Sequence, residues 1–185
     1  MIKKIKFSVT NVIIGINIIV FISALMLNNS NIIYYFFALN SPITSRVITC
    51  FTSVFLHGSI MHLLFNMYFL YYMGPILERY LGSLKYLCYY LGCALIAGFI
   101  TQWFYSGLVI GASGVLYAMV TTCITLDRSD GVRFSMYNSR MLINLLLINI
   151  ALSFIIPGIS IIGHLSGIIA GLIIALIIIS CEERR

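Results

Sequence analysis

Between Phe7 and Ser180 the chain passes through six apolar runs, and no lysine, arginine, aspartate or glutamate lies deep inside any of them. A helix needs about 20 apolar residues to cross a bilayer. Backbone groups in lipid must also be satisfied within the spanning element itself. Six helical spans are therefore predicted, at about 7–27, 57–77, 84–103, 112–126, 141–156 and 159–180. Composition agrees: 61% of the residues are hydrophobic and only 9% charged, with a mean hydropathy of +1.06. A soluble domain of 185 residues has no means of hiding so much apolar surface. The reading is an all-α membrane protein, one domain over 1–185, with the lipid bilayer as its first partner.

The net charge of +6 could suggest nucleic acid, but the basic residues sit between the oily runs. That placement is a topology signal, so no nucleic-acid partner is expected. With the N-terminus cytoplasmic, six crossings return the C-terminus to the same side. Lys3, Lys4, Lys6, Arg79, Lys85, Arg128, Arg133, Arg140, Arg184 and Arg185 then face the cytoplasm, leaving Arg46 outside. The basic start and long apolar core of "MIKKIKFSVTNVIIGINIIVFISALML" read as a retained signal anchor. The external stretch 28–56 ("NIIYYFFALNSPIT" within it) is too apolar for a solvated loop and is expected to lie in the membrane interface. The five cysteines form no CxxC pair and read as small buried hydrophobes rather than disulfide or metal ligands.

With charge absent from the spans, His57, His62, Asn66, Ser113, Tyr117 and His164 stand out. Ionisable groups in membrane segments are costly without a partner or water, and so are functional candidates. The second, fourth and sixth spans all start at the external face. At about 1.5 Å per residue Ser113 lies a turn or so below it, and His62 and His164 roughly 8–10 Å below. In "GHLSGIIAG", Gly167 and Gly171 lie about 60° and 20° from the direction of His164, so the histidine shares a face with a glycine groove. Ser113 and Tyr117 are four apart on a face flanked by Gly114 and Ala118. Two small-residue faces can dock closely. A serine alone is ordinary packing glue and a lone buried histidine ordinary too. Together they offer a hydroxyl with an adjacent base.

His62 and Asn66, four apart on one face, are both hydrogen-bond donors suited to a developing oxyanion or to a polar bridge between helices. His57 is about 140° from His62 if both are helical, so the pair cannot chelate one metal from that helix, and no metal or other cofactor is expected. The fifth span offers apolar, loose contacts.

These motifs resemble the rhomboid intramembrane serine proteases. "HGSIMHLLFN" is similar to their H-x4-H-x3-N, "ERYLGS" to the segment after it, "GASG" with Tyr117 to their G-x-S-G, and "GHLSGIIAG" to the sixth-helix histidine with its glycines. The resemblance runs from about His57 to the end. It implies a six-helix bundle of the rhomboid type, with Ser113 as nucleophile and His164 as base. His62, Asn66 and the Ser113 N–H would stabilise the oxyanion, and Tyr117 would pack on His164. Gly111 would keep the backbone open, Gly114 would flank the nucleophile, Gly167 would let two helices close, and His57 and Glu78 would be structural. The implied substrates are single-pass or other transmembrane proteins, cleaved near the outer end of a span. The Ile- and Asn-rich usage, separately, points to a bacterial inner or plasma membrane. One departure is visible: the family often has Trp-Arg where Ile48 and Thr49 stand here. A non-catalytic relative would lack the serine or the histidine, and a channel would carry polar groups through the cytoplasmic halves of the spans as well.

Overall fold

The computed structural model describes residues 8–27, 30–129, 139–155 and 158–182. Lys3, Lys4, Lys6, Arg133, Pro157, Arg184 and Arg185, on which the expected topology and last turn partly rest, lie outside the described residues. The fold is helical, with α1 Val9–Met26, α2 Ser30–Phe37, α3 Arg46–Thr52, a 3-10 turn Ser53–Phe55, α4 Ile60–Leu81, α5 Ser83–Phe104, α6 Ser113–Ser129, α7 Ser139–Ile155 and α8 Ile161–Glu182. Four of these, α1, α4, α5 and α8, are long and apolar enough to span a membrane. The chain is a multi-pass integral membrane protein.

The other two expected spans, α6 and α7, are each 17 residues, and for α6 the shortness has a physical reason. At 17 residues, α6 is about 25 Å long, below the roughly 30 Å of a hydrocarbon core. It does not have to match the lipid, because the other helices surround it: Val115, Leu116, Ala118, Met119, Val120, Thr122, Cys123 and Leu126 are all buried. In contrast, α7 is mostly exposed along Met141, Leu147, Ile148, Leu152, Phe154 and Ile155. It lies at the edge of the bundle.

Two short α-helices and the 3-10 turn do not follow from the span pattern alone. The segment before α4, expected from the sequence to be external and interfacial, folds into α2, α3 and that turn. It ends later than expected, so α4 starts at Ile60 rather than His57 and runs on through Leu81. Ser59 supplies the cap, its hydroxyl accepting from the His62 N–H at 3.1 Å. The extension places Glu78 inside the helix, fully buried. Its carboxylate accepts from the N–H groups of Val9 (2.7 Å) and Thr10 (3.0 Å) and from the hydroxyls of Thr10 (2.7 Å), Ser8 (3.1 Å) and Ser83 (2.8 Å). The first turn of a helix has N–H groups without helical acceptors and a positive dipole end, so a buried anion is satisfied there. One carboxylate thus joins α1, α4 and α5 at their shared end.

Behind this, α6 and α8 meet with backbone against backbone. A Cβ at Gly167 would run into the Gly114 carbonyl, and one at Gly171 into that of Ala118. Without lipid-excluding hydrophobic drive, such close van der Waals contact is what holds membrane helices together. The Thr122 hydroxyl crosses the same seam to the Gly171 carbonyl at 3.0 Å and accepts from Tyr89 of α5 at 2.9 Å.

Candidate active site

Ser113 is the first residue of α6, so its N–H belongs to the first turn and has no helical acceptor. The chain enters through Gly111, whose φ of 115° is closed to other residues without strain and whose N–H donates to the Ser53 carbonyl at 2.9 Å. The approach to the serine is thereby tied to the external segment.

Against this loop stand the donors of α4. A methyl group at Gly111 would lie 2.7 Å from His62 Nε2 and 3.7 Å from Asn66 Nδ2. Both side chains therefore reach the backbone two residues before Ser113, and glycine leaves the gap between. Asn66 is buried and its Nδ2 has no hydrogen-bond partner. An unpaired buried donor is costly and is a common mark of a place that awaits a ligand.

His164 is the fourth residue of α8 and is buried. Its ring stacks on Tyr117, with centroids 4.2 Å apart and planes at 22°. Tyr117 is one turn below Ser113 on α6. Gly163, next to His164, lies across the seam from Gly114, whose added Cβ would be 3.4 Å from the Gly163 carbonyl. The seam thus brings the serine and the histidine to adjacent levels of two packed helices. Relative to their helix starts, His62 is third and His164 fourth, so both lie only about 3–5 Å in. Both helices begin later than the spans expected from the sequence, so each histidine stands nearer its helix start than the spacing implies.

Among the bonds of the described residues, the Ser113 hydroxyl is not joined to the imidazole. The partner of His164 is instead Ser153 of α7, with Oγ 2.8 Å from Nδ1. Sequence reasoning misses Ser153 and takes the contacts of this helix as apolar. A signal is present in "NIALS", where two polar residues stand four apart in an otherwise apolar run.

His57 requires a correction. It precedes α4 rather than lying on it, so the helical angle separating it from His62 does not apply, and the two rings meet edge to face at 4.9 Å. The residue is buried, and its carbonyl accepts from Tyr34 of α2 at 2.8 Å. That bond ties α2 to the chain just ahead of α4, whose cap is Ser59. A cleft of about 490 Å³ between α1, α2 and the start of α4 is lined by Phe21, Tyr34, Gly58 and Ile60 among others, and reaches neither Ser113 nor His164.

The place of the missing Trp-Arg pair is taken by another fastening. Thr49 and Cys50 of α3 are fully buried against α5, where Gln102 Nε2 donates to the Arg46 carbonyl (3.1 Å) and Thr49 Oγ1 (3.1 Å). Cys50 fills the space left by Gly98. Burial pushes its thiol up to about 11.

The family model described as "Rhomboid domain" matches residues 44–181. The chain belongs to the rhomboid family. It is similar to YdcA, a rhomboid-type protein of Bacillus subtilis, with 28% identity over 72% of this chain and 68% of that protein. It is 33% identical to the rhomboid protease GlpG of Haemophilus influenzae over 63% of this chain and 62% of the relative. The protease of the same name from Salmonella choleraesuis is 40% identical over a shorter stretch, 38% of this chain and 25% of the relative. The chain thus spans about two thirds of the length of the first two relatives and a quarter of the third. Family membership makes it a member of a group of serine-type peptidases that act within membranes, and the helical fold agrees with that.

Proposed function

We propose that the chain is an intramembrane serine endopeptidase that uses Ser113 as nucleophile and His164 as general base, without a carboxylate. In this reading His164 takes the Ser113 proton as the hydroxyl oxygen attacks the scissile carbonyl. The leaving amine then receives that proton, and water, deprotonated by the same imidazole, hydrolyses the acyl ester. Asn66 Nδ2, His62 and the Ser113 N–H donate to the oxyanion. Tyr117 holds the ring, Gly111 and Gly114 keep the backbone around the nucleophile open, and Gly167 permits the helix approach. His57 fixes the external segment.

The observation that carries the reading is the α6–α8 seam. It sets Gly167 against Gly114 beside the serine and stacks Tyr117 on the imidazole one turn away. The open hydroxyl–imidazole bond accords with unliganded enzymes, where such bonds are often long and shorten around substrate.

The remaining parts of the proposal concern topology and substrate. All six apolar helices cross the bilayer, the 1–185 chain acts as one domain, both termini are cytoplasmic, and the site faces the exterior of a bacterial inner or plasma membrane. Substrates are single-pass or other transmembrane proteins whose outer ends unwind. An ordered lipid-bound helix cannot offer a peptide bond without stranding its backbone groups. The exposed edge position of α7 makes it the side of entry.

The test is cleavage of a transmembrane substrate in proteoliposomes. Ser113→Ala and His164→Ala are each expected to abolish turnover and labelling by a fluorophosphonate probe, while Asn66→Ala lowers the rate by about 10²–10³. Undiminished cleavage by Ser113→Ala would overturn the assignment.

A further inference from the structure

In a bundle whose polar groups are mostly absorbed by helix backbones, Ser153 stands apart. Thr101, Thr121 and Thr125 each donate to the carbonyl four residues earlier. This is the ordinary outlet for a hydroxyl in an apolar helix. Ser153 makes the same bond, to the Asn149 carbonyl at 2.8 Å, and its oxygen also lies 2.8 Å from His164 Nδ1. Its surroundings are unusual as well. From Ile148 to Ile155 the neighbours Ala151, Leu152, Phe154 and Ile155 are exposed, and Ser153 is the buried position. On this half of the edge helix the inward-facing residue is therefore a hydroxyl, and it meets the imidazole.

The direction of the bond follows from where the single Ser153 proton goes, and three groups stand within reach of it: the Asn149 carbonyl, His164 Nδ1 and the Tyr117 hydroxyl. With the proton donated to the Asn149 carbonyl, as for the other helix hydroxyls, the oxygen accepts from the ring. Nδ1 then carries the imidazole proton, which leaves the lone pair on Nε2. This is the tautomer a general base needs, since the other one presents an N–H to the serine and cannot take its proton. When Nε2 does become protonated, Nδ1–H still points at an oxygen whose own O–H points on to a carbonyl. The aligned dipoles stabilise the imidazolium, though as a neutral acceptor Ser153 does so less than a carboxylate would.

We propose that Ser153 is the positioning residue of the base. Its hydroxyl holds His164 in the Nδ1–H tautomer while Tyr117 stacks on the ring, and the orientation of the base therefore depends on how α7 is seated against α8. This rests on the reading of Ser113 and His164 as nucleophile and base.

The experiment uses the full chain in proteoliposomes with a transmembrane substrate, comparing the native protein with Ser153→Ala, Ser153→Thr and Ser113→Ala. Ser153→Ala is expected to lower kcat about 10-fold with KM unchanged, the loss of one hydrogen bond to a group that becomes charged. Ser153→Thr keeps the hydroxyl and restores most of the rate. Histidine ¹⁵N spectra of the native protein should show His164 protonated at Nδ1, and Ser153→Ala should mix the two tautomers. A native spectrum with the proton on Nε2 would overturn the proposal, as would a Ser153→Ala enzyme with native kcat and an unmixed spectrum. Should Ser153→Ala fail to fold, the native spectrum and the threonine variant still decide. Cleavage that persists in Ser113→Ala would instead defeat the underlying dyad, an outcome the spectra do not mimic.

Discussion

Two contacts hold the site in place, and they are built on opposite plans. Along the α6–α8 seam the backbones themselves touch: Gly167 lies on the Gly114 carbonyl and Gly171 on that of Ala118, with no space for one added carbon. Between the external segment and α5, side chains act as separate fasteners. Gln102 holds the start and middle of α3, and Asn40, at a φ of 62°, donates to the carbonyls of Tyr105 (2.7 Å) and Gly107 (2.9 Å). A short two-way backbone pairing joins Leu39 to Val109. The seam carries the proposed catalytic pair and has little tolerance for substitution, because its only give would be movement of main chain. The external contact is distributed over several bonds, so the loss of one leaves the others. Close packing gives precision where the proposed base and nucleophile must align, whereas redundant polar bonds suit a segment fastened beside them.

The comparison can be broken most directly at Gly167. Replacing it by Val forces α6 and α8 apart, and we expect loss of cleavage by more than about 10²-fold and a lower unfolding temperature, overpacking costing on the order of 1–3 kcal/mol. A Gly167→Val enzyme with near-native turnover in proteoliposomes would mean that the seam does not set the alignment. The external fastening should yield less. Gln102→Leu removes the hydrogen bonds to Arg46, Thr49 and Cys50 while keeping the volume, with an expected loss of about 1–2 kcal/mol in detergent unfolding and no more than a few-fold change in kcat. A loss as deep as that of the glycine variant would erase the distinction between the two contacts. The smallest effect is chemical and sharpens the same point. With its thiol pushed up to about 11, Cys50 has about one part in a thousand as thiolate at pH 8 and is fully buried. It should escape a membrane-impermeant maleimide in the native protein and be labelled faster in Gln102→Leu, as read by mass spectrometry.

Much of the site is legible in the sequence. The serine and tyrosine four apart, the histidine with glycines at three and seven, and the paired donors of "HLLFN" are local spacings, and a helix converts them into faces without further information. The end points are less legible. His57 and the start of α4 are misread from the pattern because the hydrophobic run continues through a segment that turns away as α3 and a 3-10 turn, ahead of the cap at Ser59. The shortness of α6 is legible, as the run 112–126, but its reason is not: a helix enclosed by other helices is released from the thickness of the lipid.

Ser153, Gln102 and Thr122 escape a sequence reading for one shared reason. Each partner is far along the chain or on a helix whose rotation the sequence leaves open, and a hydroxyl or amide within an apolar run looks the same whether it bonds its own backbone or reaches across. Hydropathy and periodicity settle which segments become helices and which side chains share a face, because both depend on neighbours within two turns. Which face meets which helix, and with it the partner of the imidazole's Nδ1, is decided only in the tertiary structure. That choice is made by packing small residues against distant backbone, an interaction with no local signature.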